Sequence, residues 1–178
     1  MRTRGDSRRD AEFTAFVRGH SDRLHRYGYV LTGSAAEAEE LVQETLVKVY
    51  LAWERICQEG SPLGYTRAAM ARTHVSRWRS WRRRTALEDR VVLDRSSATT
   101  SWETEATERD AMWRALATLP PRQRAVVVLR YYEDLTERDS AEALGCAIGT
   151  VKSQLSRALS TLCGQGAAGH LLVSEEAR

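Results

Sequence analysis

Phe13, Phe16, Val17, Leu24 and Leu31 recur near a helical period and predict a first helix over residues 11–31. Thr32-Gly33 interrupts the pattern. Ser34 followed by Glu37 reads as a capping box, in which the hydroxyl serves an orphan N–H and the carboxylate reaches back. A second helix is expected from there to about Arg55. Ala38, Leu41, Val42, Thr45, Leu46, Val49, Tyr50 and Trp53 fall on one broad face, and Glu39, Glu40, Gln43, Glu44 and Lys48 on the other. Gly60-Ser61-Pro62 opens a third helix, with Pro62 near the first helical position, where a missing N–H costs little. That helix runs through Tyr65, Ala69, Met70 and Val75 to Arg83-Arg84.

Periodicity then stops. Residues 85–108 hold a small polar run, Ser96 to Ser101, flanked by acids, and read as a linker. Helical spacing returns with Met112, Trp113, Leu116 and Leu119. Pro120-Pro121 ends that helix and starts the next, which carries Val126 to Leu129 and Tyr131-Tyr132. Thr136 to Leu144 predicts a short helix with Thr136 as its N-cap. Gly145-Cys146-Ala147 follows as a tight turn, and Ile148 to Leu162 as a longer helix. This is helix-turn-helix grammar. Val151, Leu155, Ala158, Leu159 and Leu162 share one stripe of the last helix. Lys152, Ser153, Ser156, Arg157 and Ser160 share the opposite face, and no acid lies between Ala143 and Leu172. Short side chains that permit close groove approach, with cations beside them, suit contact with base edges and phosphates.

The expected fold class is therefore all-α: two small helical domains joined by a flexible acidic linker. Only three prolines in 178 residues agree with this. The divisions are a basic tail at 1–10, a domain at 11–84, the linker at 85–107, a domain at 108–163 and a tail at 164–178. The linker lacks an apolar pattern, so the two domains are expected to move independently in free solution or to be clamped by a partner protein, and to take a fixed spacing only on a larger assembly.

Charge sharpens the functional reading. The formal total is only +3, but residues 61–84 carry seven arginines and no acid, while residues 85–111 carry three basic and seven acidic groups. Like charges packed so densely repel one another unless a polyanion meets them. Trp78 and Trp81 are interleaved with Arg77, Arg79, Arg82, Arg83 and Arg84, which sets stacking faces beside phosphate partners. Arginine outnumbers lysine 25 to 2, so not every arginine is to be read as a contact.

Other classes find little support. Cys57, Cys146 and Cys163 are widely spaced and read as reduced small hydrophobes rather than a disulfide framework or zinc site. The four histidines show no metal-binding spacing, and no catalytic motif, phosphate loop or cofactor fingerprint appears, so neither metal nor cofactor is expected and the chain is not read as an enzyme. The apolar runs are far shorter than the roughly 20 residues of a membrane span, and the charged N-terminus has no apolar segment behind it. The expected location is cytoplasmic and nucleoid-associated.

Two blocks carry a resemblance. One is Ala38 to Leu46 (AEELVQETL) with Tyr50 to Trp53. The other is Leu119 to Arg124 (LPPRQR), Leu129 to Thr136 (LRYYEDLT), Leu144 to Cys146 and Gly149 to Ser153 (GTVKS). In this order and spacing they resemble regions 2 and 4 of the extracytoplasmic-function (ECF) sigma factors of bacterial RNA polymerase, a branch of the sigma-70 superfamily, and most of all its actinobacterial SigE-family subgroup. The resemblance implies a non-enzymatic initiation factor that binds core RNA polymerase, directs it to promoters and assists strand opening. It matches Glu40, Gln43 and Glu44 to the face that docks on the β′ clamp helices. It matches the segment holding Arg72, Arg77, Trp78, Arg79, Trp81 and Arg82 to reading and melting of the −10 element. Thr150, Lys152, Ser153, Ser156 and Arg157 match the −35-reading helix, and Leu116 to Leu129 the part that grips the β flap. An anti-sigma factor is a further partner the resemblance allows. A stand-alone helix-turn-helix regulator is the alternative, since Gly149 to Ser153 also resembles LuxR-type proteins. Three positions depart from the family pattern: Arg72 stands where Asn is frequent, Ser140 where Ile or Thr is usual, and Ala147 where a capping Ser is usual, a loss of roughly 1 kcal/mol.

Overall fold

The computed structural model describes residues 4–85 and 108–164. The expected linker, apart from Thr85, and the C-terminal tail, apart from Gly164, lie outside the described residues. Those described form helices throughout, joined by short turns: α1 (Arg4–Thr32), α2 (Ala35–Leu51), α3 (Trp53–Glu59), α4 (Pro62–Thr85), α5 (Glu108–Thr118), α6 (Pro121–Val127), α7 (Glu137–Leu144) and α8 (Ile148–Gly164). Wider π-type turns, Val128–Tyr132, continue α6.

Several boundaries follow from local chemistry. Pro121 occupies the first position of α6, where its missing N–H leaves no gap in the hydrogen-bond ladder. Thr136 caps α7 and exchanges hydrogen bonds with Asp139, completing a capping box there. Gly145 ends α7 at φ 61° and ψ 47°, a left-handed conformation that costs a side-chain-bearing residue about 1 kcal/mol or more. At Ser34 only half of the expected box forms. Its hydroxyl accepts from the Glu37 N–H at 3.4 Å, but its own N–H donates to Thr32 Oγ1 at 3.3 Å rather than to Glu37.

Two boundaries differ from expectation. α1 begins at Arg4, so most of the expected tail is helical. Arg9 and Asp10 both reach Tyr50 of α2, at 3.2 and 2.5 Å, which holds that first segment against the bundle. The expected second helix breaks at Ala52 into α2 and α3. Trp53 and Ile56 of α3 pack with Val49, and Phe13, Phe16 and Tyr65 close over them as a separate aromatic cluster. Phe13 meets both Tyr50 and Trp53 edge-on, with ring centroids 5.1 Å apart in each pair.

α1, α2 and α4 cross around Leu24, Tyr27, Leu31, Leu41, Val42, Met70 and Val75. Burying a leucine in such a core contributes about 1.5–3 kcal/mol. Gly28 lets α1 and α2 approach closely: a Cβ there would lie 3.2 Å from both the Cβ and the carbonyl oxygen of Ala38.

Both expected helical halves are present, but they are packed on each other rather than apart. Leu116, Leu119 and Ala125 to Leu129 are buried in the same apolar cluster as Leu24, Leu31, Met70 and Val75. α6 and α7 lie against α4, and α5 lies against α1. Instead of standing apart, the halves share a core. The apolar stretch that the resemblance assigns to the β flap is turned into that core.

Candidate nucleic-acid and polymerase interface

The recognition helix α8 is built as its pattern implies. Val151, Ala158 and Leu162 are buried, and Leu155 and Leu159 half-buried. Lys152, Ser153, Ser156 and Arg157 are exposed together on the other side, with Thr150 half-buried at their edge. Ser153 donates to the Thr150 carbonyl of its own helix, at 3.0 Å. Lys152 Nζ stands 3.6 Å from Glu137, a surface pair that a phosphate can displace at little cost. Ala147 at the start of α8 supplies no side-chain cap, but its carbonyl accepts from the N–H groups of Thr150 and Val151. Ser140 is fully buried in α7 and its hydroxyl has no hydrogen-bond partner among the described residues. A desolvated hydroxyl donor therefore stands in the core at this position.

α4 presents its candidate residues differently. Arg72 donates from Nε to the Ala143 carbonyl at 2.8 Å and from Nη2 to the Glu142 carbonyl at 3.3 Å. Arg77 donates to Glu40 at 2.5 Å and lies 3.8 Å from Glu44. The guanidinium of Arg122 sits 5.6 Å from the centre of the Trp78 ring. Arg79 is exposed, and Trp81 is exposed at 38%. The Arg82 side chain lies outside those described.

On α2, Glu40, Gln43 and Glu44 are exposed on one face, as expected. Glu44 also accepts from Lys48 at 2.7 Å, and Gln43 donates to Glu39 at 3.3 Å. The same face continues into Val47 at 61% exposed and Leu51 at 78% exposed. Gln43, Val47 and Leu51 stand four apart, so helical spacing puts both apolar residues on this polar face, a signal the sequence reading passed over. An acidic rim beside exposed aliphatic groups is the composition of a protein-docking surface.

Between the halves lie groups that the sequence did not single out. Arg124 is buried and donates to the carbonyls of Leu31 at 3.0 Å, Ala117 at 2.6 Å and Leu119 at 3.2 Å. Burial pushes its pKa down to about 10, partly opposed by Glu37. Arg67 and Glu133 pair at 2.8 Å with side chains only 16% and 10% exposed. Burial still raises the Glu133 carboxyl above its ordinary range, so desolvation outweighs the Arg67 charge there. Tyr27 lies beneath Arg67 with its phenol raised, first by burial and then by Glu133. His74 is buried in α4, and burial together with the Arg124 and Arg77 charges drives its pKa down to about 3.

No group of three or more metal-ligating side chains occurs among the described residues. Nor is any described helix long and apolar enough to cross a membrane.

Comparison with known proteins agrees with this layout. The sigma-70 region 2 family model matches residues 16–85, and the sigma-70 region 4 model matches residues 109–162. An RNA polymerase sigma-E factor of Streptomyces avermitilis is 36% identical over 85% of this chain and 83% of its own length. The ECF RNA polymerase sigma factor SigL of Mycobacterium tuberculosis is 34% identical over 80% of this chain and 82% of its own. Among solved structures, the sigma factor RpoE of Bartonella quintana, in complex with the anti-sigma factor NepR, superposes with a TM-score of 0.62 at 26% identity. That match covers 85% of this chain and 94% of that one. A stand-alone helix-turn-helix regulator would account for α6 to α8 but leaves the region 2 match unexplained. The chain belongs to the ECF RNA polymerase sigma factors of the sigma-70 family.

Proposed function

We propose specific roles for the three surfaces of this sigma factor. As a family member it is a promoter-specific initiation factor and not an enzyme, and the polymerase supplies the chemistry. The exposed α2 face, with Glu40, Gln43 and Glu44 extended by Val47 and Leu51, docks on the β′ clamp helices of core polymerase. Within 11–84, α4 reads and helps open the −10 element through Arg72, Arg77, Trp78, Arg79, Trp81 and Arg82. Stacking on an aromatic ring contributes about 1–3 kcal/mol per base, similar in size to the cost of unstacking it. Within 108–163, Thr150, Lys152, Ser153, Ser156 and Arg157 of α8 read the −35 element, and Leu116 to Leu129, buried between the halves here, meets the β flap only once it is uncovered. An anti-sigma protein is a further partner, and the site of action is the chromosome in the cytoplasm.

The observation that carries this reading is the exposed, acid-free polar face of α8, presented behind the left-handed Gly145 turn. Two arginine-rich or helix-turn-helix surfaces in one chain suit simultaneous grip of two DNA elements, because docking of one raises the local concentration of the other. Run-off transcription with core polymerase, followed by mapping of start sites, tests it. Initiation at a restricted promoter set that depends on this chain is expected. Absence of any chain-dependent start site would contradict it.

A further inference from the structure

We propose that Ile148, with the bare Gly149 beside it, is a specificity-determining residue of α8 that reads a thymine 5-methyl group in the −35 element. The inference rests on the assignment of α8 to that element and adds an apolar contact to its polar ones.

Helical spacing places Ile148 on the stripe of Val151 and Leu155, three and seven positions further on, which predicts burial. Val151 is buried and Leu155 half-buried, but Ile148 is 43% exposed. It is the first residue of α8, and its chain neighbours Gly145, Ala147 and Gly149 are small and exposed, so they supply little to cover it. Among the described residues the exposed large apolar side chains are Val47, Leu51, Trp81, Tyr132 and Ile148, and of these Ile148 alone stands on α8. Its apolar surface is therefore continuous with the face that carries Lys152, one helical turn on, and Ser153.

Gly149 points the same way. A Cβ there would have nothing within 4 Å, and its φ lies outside the left-handed region. Neither packing nor backbone conformation calls for glycine at this position. Glycine weakens a helix relative to alanine, and the fold gains nothing in return. What it leaves is an open notch beside Ile148, where another backbone can approach the first turn of α8.

The chemistry of the major groove names the occupant. The first residues of a recognition helix are those that meet base edges. Lys152 and Ser153 present donors, which suit the ring-nitrogen and carbonyl acceptors of the bases and the phosphates. An isoleucine side chain forms no hydrogen bond, so the gain open to it is desolvated contact with an apolar group. On the major-groove edge that group is the thymine methyl. Burying one group of that size corresponds to about fourfold in affinity.

Deoxyuridine, which lacks only the methyl, tests this directly. Holoenzyme reconstituted with the full chain is titrated with fragments of one mapped promoter in which each −35 thymine, on either strand, is replaced in turn. Wild type should lose about fourfold in affinity at one thymine. Ile148→Ala should lose about fourfold on the thymine fragment and nothing further on the deoxyuridine fragment. It should leave the slope of log affinity against log salt unchanged, because no phosphate contact goes with it. Ile148→Val should keep most of the sensitivity. Gly149→Ala should weaken binding to the same promoter while leaving the melting temperature unchanged or raised. Equal losses for Ile148→Ala on both fragments would mark a structural or protein-docking role and overturn the proposal. So would a wild type indifferent to every replacement while it still prefers the mapped −35 sequence over a scrambled one. Absence of that preference would instead refute the assignment of α8 to the −35 element, and the inference with it.

Discussion

Two helices carry the residues that would touch DNA, and the fold treats them in opposite ways. The polar face of α8 is open to solvent, and the contacts of Ser153 and Lys152 are weak or within its own motif. On α4, Arg72, Arg77 and Trp78 each meet a group elsewhere in the chain: α7 carbonyls, α2 carboxylates and the Arg122 guanidinium. Both helices read alike as basic or polar faces in the sequence. The difference teaches that an exposed-looking cation run is a demand for acceptors, which either a polyanion or the chain itself can meet.

The strongest way to break this contrast is to remove the group that joins the halves. Arg124→Met deletes a guanidinium shared among three carbonyls and leaves them desolvated. A loss of about 3 kcal/mol in unfolding free energy is expected by chemical denaturation. A lysine-for-arginine change there should recover only part of it, because one ammonium cannot reproduce the planar fork.

Next comes acidity. His74 has a folded pKa of about 3, below its unfolded value of 6.5, so the stability it contributes is present above pH 6.5 and is lost as pH falls. Between pH 7 and 5 the loss is about 2 kcal/mol, as the unfolded chain takes up a proton that the folded chain, with Arg124 and Arg77 facing the ring, refuses. Glu133, raised in the fold, works in the opposite direction toward its own titration range. The difference between wild type and His74→Phe isolates the histidine; it should shrink the pH dependence between 7 and 5.

Smaller effects sharpen the surface side of the comparison. Glu44→Lys should weaken core polymerase binding about tenfold, about 1.4 kcal/mol, while circular dichroism stays unchanged. Lys152→Ala should weaken promoter DNA binding and lower the slope of log affinity against log salt by about one unit. Arg157→Ala is expected to change the preferred −35 sequence, readable by selection from a random library.

Much of the local architecture was legible. The buried stripe of α8, the Thr136 cap, the left-handed Gly145 and the start of α4 at Pro62 all depend on residues a few positions apart, where periodicity and capping chemistry speak. The exposed candidate faces of α2 and α8 were legible for the same reason. What joins the halves was not. Arg67 meets Glu133 across 66 positions, Arg72 meets Ala143 across 71 and Arg124 meets Leu31 across 93. Arg124 lies in the run Pro-Pro-Arg-Gln-Arg, which reads as solvated, and its acceptors are backbone carbonyls that no side-chain pattern reveals. The break at Ala52 was equally hidden, since alanine favours helix and the gain lies in the distant Phe13 and Phe16. The exposure of Val47 and Leu51 was legible, since both stand on the Gln43 side of α2, but it was not read.

The central claim is that α4 and α8 read separate promoter elements on polymerase. Photocrosslinking in the reconstituted holoenzyme tests it most directly, with a photoreactive residue at position 81 in one variant and at position 153 in another, on one mapped promoter. The account predicts crosslinks about 25 base pairs apart, roughly 85 Å along B-DNA at about 3.4 Å per pair, with position 153 upstream. Crosslinks from both positions to the same element, or from position 153 downstream of position 81, would contradict it.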